Sequence, residues 1–134
     1  MHGQGKLTFD TDDVFEGTFL NDKIFSPGKL ICKGTMYIGE LKDGKKHGKG
    51  EVLFPNGDKY DGDFVDGKMH GTGIYNYTVG DEYNGEWKND KKDGLGTLKY
   101  SGGDVYVGGF KNNVKHGLGQ YTYSEDGRVV KGNI

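Results

Sequence analysis

The chain has 134 residues and an unusual composition, with 26 glycines, 2 prolines and 32% apolar residues. Intrinsic disorder would explain the low apolar content, but not nine tyrosines, seven phenylalanines and a tryptophan. The formal charge of −2, with acids and bases interspersed, excludes a strongly basic nucleic-acid-binding surface. Cys32 has no second cysteine to pair with, and no apolar run suits a signal peptide or membrane span. We therefore expect a reducing, cytoplasmic setting.

The predicted elements recur with a period of 22 or 23 residues. An aromatic residue opens each repeat, a glycine follows two residues later, and a large apolar residue follows two further on. A turn pair then leads to His-Gly-x-Gly or Asp-Gly-x-Gly and two alternating apolar residues. One domain, 1–134, is thus divided into a half-repeat (1–14), repeats (15–36, 37–59, 60–82, 83–105, 106–129) and a partial repeat (130–134). Since both ends interrupt a repeat, we expect a stretch of a longer array.

Each repeat is predicted to be one β-hairpin. The alternation of large residue, glycine and large residue has the period of a strand. The turn pairs contain Asn, Asp and Gly, which adopt the left-handed backbone of tight hairpin turns. They are Asn21-Asp22, Asp43-Gly44, Asp66-Gly67, Asn89-Asp90 and Asn112-Asn113. The expected fold is all-β, an elongated single-layer antiparallel sheet that forms a twisted ribbon solenoid of consecutive hairpins.

A strand register follows from placing large residues opposite glycines. In this register Tyr37, Gly39 and Leu41 lie opposite Phe54, Val52 and Gly50. Each glycine is then shielded by a bulky cross-strand neighbour. A shift of two residues would keep the same face and change the partners.

The repeat at 60–82 resembles the MORN repeat pattern, with Tyr-Asp-Gly-Asp-Phe at 60–64 and His-Gly-Thr-Gly at 70–73. The resemblance implies an aromatic-lined groove and a scaffolding or docking role in cytoskeletal, ciliary or membrane-associated assemblies. It also implies that such an array can be a regulatory module of a larger enzyme. Residues 15–36 depart from the pattern, with Phe-Ser-Pro-Gly at 25–28. The last full repeat has one extra residue at 124–127. We expect a local kink or an altered groove at both places.

The aromatic face of the predicted sheet is the first candidate site. A one-layer sheet is expected to leave its rings partly covered, and exposed aromatic patches mark partner sites. The expected occupant is a protein partner, either an amphipathic helix or an extended peptide. The groove residues are predicted to be Tyr37, Leu41, Phe54, Tyr60, Phe64, Tyr77, Tyr83, Trp87, Tyr100, Tyr106, Phe110 and Tyr123.

A row of lysines just past the first turn of each repeat is the second candidate site. It is predicted to follow one edge of the ribbon, where it would meet anionic phospholipid at ~1 kcal/mol per charge near the surface. The alternative function is therefore a membrane-surface adaptor. Its residues are Lys45, Lys46, Lys68, Lys91, Lys92 and Lys115. Open ends also make self-association through unpaired strands a prediction.

The sequence offers no candidate for catalysis or cofactor binding. Four histidines share one repeat position, but neighbouring ones are expected to be on the order of 10 Å apart, too far to share a metal ion. The segment 39–45 mimics the start of a phosphate-binding loop, without the Ser or Thr and the helix that such a loop requires. We expect a chain that is not an enzyme and that holds neither a metal nor a cofactor.

Overall fold

The computed structural model describes residues 3–9, 13–20 and 23–133, with the backbone alone at 19–20 and 23–26. These residues form one sheet of 12 antiparallel strands whose spatial order is the chain order. The strands are β1 (Gly3–Thr8), β2 (Val14–Leu20), β3 (Lys23–Cys32), β4 (Thr35–Lys42), β5 (Lys45–Leu53), β6 (Lys59–Val65), β7 (Lys68–Asn76), β8 (Glu82–Lys88), β9 (Lys91–Lys99), β10 (Val105–Lys111), β11 (Val114–Thr122) and β12 (Val129–Asn133). The predicted all-β sheet of consecutive hairpins is confirmed. In this described part of the chain, no helix is long and apolar enough to cross a bilayer.

The first turn of each described repeat has the predicted left-handed backbone. Asp43 and Gly44 have φ of 51° and 77°, and Asn89 and Asp90 have φ of 48° and 70°. Two consecutive positive φ values define the hairpin turn whose twist matches that of the flanking strands. The predicted turn at Asn21-Asp22 lies outside the described residues, as does His2.

The predicted register is wrong by two residues. The observed partners are Tyr37 with Val52, Gly39 with Gly50, and Leu41 with Lys46. Glycine therefore faces glycine across the strands. A β-bulge lies between Gly39 and Leu41, and the same irregularity recurs in the next three repeats.

The shield over the glycine pair of each regular hairpin is a tyrosine of the same hairpin, and Phe15 takes that place over Gly17 and Gly28. Tyr60 illustrates the arrangement, because its ring lies over Gly62 and Gly73. A Cβ atom on Gly62 would lie 2.6 Å from Thr72 O and 2.7 Å from the Tyr60 hydroxyl oxygen. Three other tyrosines cover glycine pairs in the same way, at Tyr37, Tyr83 and Tyr106. Glycine is thus required here by close packing.

The core is a line of edge-to-face rings along one face of the sheet, which we call the aromatic face. The ring of Tyr60 lies 5.1 Å from Phe64 and 5.3 Å from Trp87, with interplanar angles of 84° and 85°. Tyr83 repeats the arrangement with Trp87 and Phe110, at 5.2 Å and 5.0 Å. Tyr60 and Tyr83 therefore each contact a large apolar residue of their own repeat and one of a neighbouring repeat.

The two irregular repeats keep the sheet continuous. In the first, Gly17 still pairs with Gly28, although Thr18 then pairs with Phe25 and the bulge is shorter. Pro27 is exposed there, whereas the side chains at 25–26 lie outside the described part. In the last repeat, the extra residue lengthens the second turn, where Gly127 N donates to Tyr123 O at 2.9 Å.

Candidate partner-binding face

Seven of the twelve predicted groove residues are core residues and not exposed surface. None of the seven is more than 5% exposed. The expectation of partly covered rings is therefore wrong for them, because rings of successive repeats cover one another. They are Tyr37, Tyr60, Phe64, Tyr83, Trp87, Tyr106 and Phe110.

The other five predicted groove residues are half-buried. One of them, Leu41, lies near the first turns, and the other four lie where each repeat enters its second turn. These four are Phe54, Tyr77, Tyr100 and Tyr123. They recur once per repeat, so the partly accessible aromatic surface follows one margin of the aromatic face.

Two half-buried tyrosines that the prediction omitted lie between these rings. Tyr75 is 5.6 Å from Phe54 and 4.5 Å from Tyr77. Tyr121 is likewise 5.9 Å from Tyr100 and 4.7 Å from Tyr123. The aromatic row, as we call it, consists of Phe54, Tyr75, Tyr77, Tyr100, Tyr121 and Tyr123. Its rings are tilted by 32° to 51° relative to their neighbours.

A carboxylate from the second turn of the repeat at 37–59 holds part of the aromatic row. Asp58 Oδ2 accepts the hydroxyl of Tyr75 at 2.8 Å, and Asp58 Oδ1 accepts the backbone N–H of Thr78 at 2.9 Å. The Thr78 N–H lowers the pKa of Asp58, and burial raises the pKa of Tyr75. The acid therefore stays charged and the phenol neutral. Asp58 thus ties its own turn to the next repeat.

The bond from a backbone N–H is repeated one period and two periods later, and the tyrosine contact is repeated at Asp104. Asp81 Oδ1 accepts Ser101 N at 2.8 Å, and Asp104 accepts both Ser124 N and the Tyr121 hydroxyl at 2.8 Å. A Gly-Asp pair at 57–58, 80–81 and 103–104 is the sequence signal for this inter-repeat link. Reading that column would have located the three acids.

The six predicted edge lysines do not form one row, because they are divided between the two faces. Adjacent residues of a strand point to opposite sides, which separates Lys45 from Lys46 and Lys91 from Lys92. The ammonium groups over the aromatic face are those of Lys46, Lys92 and Lys115. The exposed lysines on the opposite side are Lys45, Lys68 and Lys91.

A shallow cavity of about 280 Å³ lies beside the aromatic row. Its lining includes Tyr77, Lys92 and Asp90. The Lys92 ammonium lies 5.1 Å from the Tyr77 ring centre and 5.6 Å from that of Tyr83. Partial burial lowers the pKa of Lys92. The cavity therefore combines flat aromatic surface with a cation, which suits a ligand with apolar and anionic groups.

A second cavity, of about 470 Å³, lies on the opposite side near the first turns. Four lysines line it together with one carboxylate, Asp93. The lysines are Lys68, Lys88, Lys91 and Lys111. This basic cavity contains two of the predicted edge lysines, Lys68 and Lys91, and two lysines that the prediction omitted, Lys88 and Lys111.

The histidine column has a local contact near the first turns. His70 Nδ1 accepts the backbone N–H of Asn89 at 3.4 Å, which links two successive repeats. Among the residues that the structure describes, no group of three or more metal-ligating side chains comes together.

The repeated hairpins match a known sequence family. The family model described as MORN repeat matches residues 1–14, 37–59, 60–82, 83–105 and 106–128, and leaves out the irregular repeat. The chain belongs to the MORN-repeat family. This family is generally a non-catalytic repeat module.

Comparison with solved structures finds a similar fold in the SAS-4 (dCPAP) TCP domain of Drosophila melanogaster, solved in complex with a proline-rich motif of Ana2 (dSTIL). The TM-score is 0.56 at 9% sequence identity, over 96% of this chain and 77% of that one. At this identity the likeness concerns the fold alone. No curated protein matches the chain.

Proposed function

We propose that this chain is a non-catalytic scaffold that binds an extended, proline-rich segment of a partner protein along the aromatic row. The observation that carries the proposal is the recurrence of half-buried rings once per repeat, at Phe54, Tyr77, Tyr100 and Tyr123. Successive repeats thus offer the same surface to successive parts of one ligand. The proposed setting is a cytoplasmic scaffold in cytoskeletal, ciliary or membrane-associated assemblies.

The aromatic row has the chemistry that proline-rich ligands use. A half-buried tyrosine has part of its ring accessible for packing against a pyrrolidine ring. A polyproline II segment has no internal hydrogen bonds and is already extended before binding, so it loses little conformational entropy. The similar fold that was solved with a proline-rich motif supports this choice of ligand.

An amphipathic helix suits this surface less well than an extended segment does. A bound helix places a continuous apolar stripe in a hydrophobic groove. The cavity beside the row holds only about 280 Å³, and Asp90, Lys92 and Asn113 form part of its wall. Its deeper rings, including Trp87, are covered by the packing between repeats. The accessible surface is therefore shallow and partly polar.

The test is fluorescence anisotropy with a labelled oligoproline peptide as the probe. We expect Tyr77→Ser and Tyr100→Ser each to weaken binding about tenfold, since stacking on a ring contributes ~1 kcal/mol or more. The matched control is Val107→Ser, because Val107 is 48% exposed and lies on the opposite face, between Tyr106 and Gly108. Circular dichroism confirms that each variant is folded. Wild-type affinity in both tyrosine variants would exclude the aromatic row as the site.

The basic cavity favours a second function, an adaptor for anionic phospholipid surfaces. Four lysines line it, and each cation near such a surface contributes ~1 kcal/mol. We expect co-sedimentation with vesicles that contain phosphatidylserine, weaker binding after Lys91→Gln, and loss of binding in high salt. Equal binding to neutral phosphatidylcholine vesicles would contradict this function.

A further inference from the structure

Two ammonium groups on the aromatic face lack a carboxylate partner among the residues that the structure describes. Lys92 Nζ lies over the rings of Tyr77 and Tyr83. Lys115 Nζ lies 5.2 Å from the ring centre of Tyr100, to whose hydroxyl it also donates at 2.6 Å. The ion pairs of the described residues involve other lysines. Both cations therefore have ring contacts and remain available to an anion.

The carboxylate that lines the same cavity as Lys92 already accepts a hydrogen bond from the backbone. Asp90 lines the same cavity, but its Oδ1 accepts the backbone N–H of Met69 at 2.8 Å. Lys92 N donates to Asn113 Oδ1 at 2.9 Å, which fixes the backbone that carries the ammonium. Partial burial lowers the pKa of Lys92, so an anion in contact with it would replace lost hydration. Lys92 therefore can form an ion pair with a ligand, because the carboxylate of Asp90 in the same cavity is hydrogen-bonded to Met69 N.

The spacing of these lysines matches one turn of a polyproline II helix. Lys92 and Lys115 occupy equivalent positions of β9 and β11, two strands apart in the sheet. Two strand spacings measure about 9.6 Å. Three residues of polyproline II rise about 9.3 Å and complete one turn. Every third residue of such a segment therefore faces the same column of the scaffold, repeat after repeat.

The repeat position that Lys92 and Lys115 share forms a column of four side chains across the sheet. Its members are Lys46, Met69, Lys92 and Lys115, each opposite the large apolar residue of its hairpin. Lys46 lies 5.9 Å from the Tyr37 ring centre, as a weaker copy of the same contact. Successive repeats thus present a cation, an apolar side chain, a cation and a cation.

We propose that the bound segment carries side chains in the order acidic, apolar, acidic, acidic at every third position, with prolines between them. This inference rests on the proposed function and adds the charge pattern of the partner. The acids pair with Lys46, Lys92 and Lys115, and the apolar residue lies on Met69. The prolines pack on the aromatic row alongside.

The experiment compares three labelled peptides of equal length in anisotropy titrations at low salt. The first contains glutamate, leucine, glutamate and glutamate at successive third positions of an oligoproline, the second contains the same four residues at every fourth position, and the third contains none of them. We expect the first to bind most tightly, with about a fivefold gain over the third for each lysine that it reaches. Equal affinity of the first and second peptides would overturn the proposed spacing.

The lysine variants locate the contact. Lys92→Gln and Lys115→Gln should each weaken the first peptide about fivefold and leave the third unchanged, whereas Lys92→Arg should retain affinity. Lys99→Gln is the matched control, because Lys99 is an exposed lysine of the same strand, follows Leu98 and faces the other side. Equal loss in Lys99→Gln and Lys92→Gln would refute the assignment. If the third peptide bound as tightly as the first, the charge pattern alone would be refuted. If none of the three peptides bound, the proposed function would be refuted as well.

Discussion

The hydroxyl of Tyr60 donates a hydrogen bond to the backbone carbonyl of Asp63, at 2.9 Å. Asp63 has no pairing partner in β7, since the register shifts between Gly62 and Phe64. The phenol therefore satisfies a carbonyl that the irregular ladder leaves without a strand donor. The same bond recurs from Tyr37 to the carbonyl of residue 40 at 2.5 Å and from Tyr83 to that of residue 86 at 2.8 Å.

Removing this hydroxyl should destabilise the sheet measurably. Tyr60→Phe keeps the ring over the glycine pair and leaves the Asp63 carbonyl without its donor, so we expect a loss of about 1 kcal/mol in the free energy of unfolding. Urea denaturation followed by circular dichroism provides the measurement. Tyr77→Phe is the control, because in the described part of the chain the Tyr77 hydroxyl makes no hydrogen bond. Equal losses in the two variants would contradict the role of the bond.

Adding one methyl group to a glycine pair should be more costly. In Gly62→Ala the new Cβ would lie 2.6 Å from the backbone oxygen of Thr72, and backbone on that side cannot move without breaking the ladder. We expect a loss of about 3 kcal/mol or failure to fold. Gly102→Ala is the control, since a Cβ there would meet open space. The midpoints of thermal unfolding of the two variants test the difference.

The contribution of Asp58 to stability should decrease at low pH. Asp58→Ala removes the acceptor of Thr78 N and of the Tyr75 hydroxyl, for an expected loss of about 2 kcal/mol at neutral pH. The pKa of Asp58 is lowered below its unfolded value of about 3.9. Its contribution is therefore present above about pH 4 and is lost as pH falls through the lowered pKa. Stability measured against pH should fall less steeply on the acid side in the variant. The exposed Asp61→Ala variant, on the opposite face, should follow the wild type.

The alkaline limit of stability should reflect the tyrosines. Burial raises the pKa of Tyr37 to about 12, and the hydrogen bond to Asp104 raises the pKa of Tyr121 to about 12. The unfolded value is about 10, so this contribution is complete below about pH 10 and is lost as pH rises through about 12. An ultraviolet titration of tyrosinate should show these groups ionising together with unfolding. Ionisation of all nine tyrosines near pH 10 in a chain that stays folded would contradict the prediction.

The sequence alone predicted the repeat, the hairpin and its turns, because these depend on local properties. Alternation determines the strand, and pairs such as Asp43-Gly44 favour a left-handed backbone whatever surrounds them. The register was not predictable in the same way. The register depends on the bulge after Gly39. It also depends on the ring of Tyr37, which lies over Gly39 and Gly50 and leaves no space for a side chain on either residue.

The candidate site was predicted only in part, for a related reason. Residues on one face of a sheet are identified by alternation, but their exposure depends on contacts between repeats. Trp87 is 5% exposed because Tyr60 and Tyr83 pack against its two sides, whereas Tyr77 is half-buried at the margin. The lysines were predicted as one row because no allowance was made for the opposite directions of Lys91 and Lys92.

The strict chain order of the strands has a mechanical consequence. Each strand from β2 to β11 pairs only with its predecessor and its successor. A pull directed across the strands would load the interstrand hydrogen bonds along their own direction and open them one ladder at a time. The sheet would therefore extend in steps of one hairpin at low force, and each released hairpin could pair again with its neighbour when the force is removed.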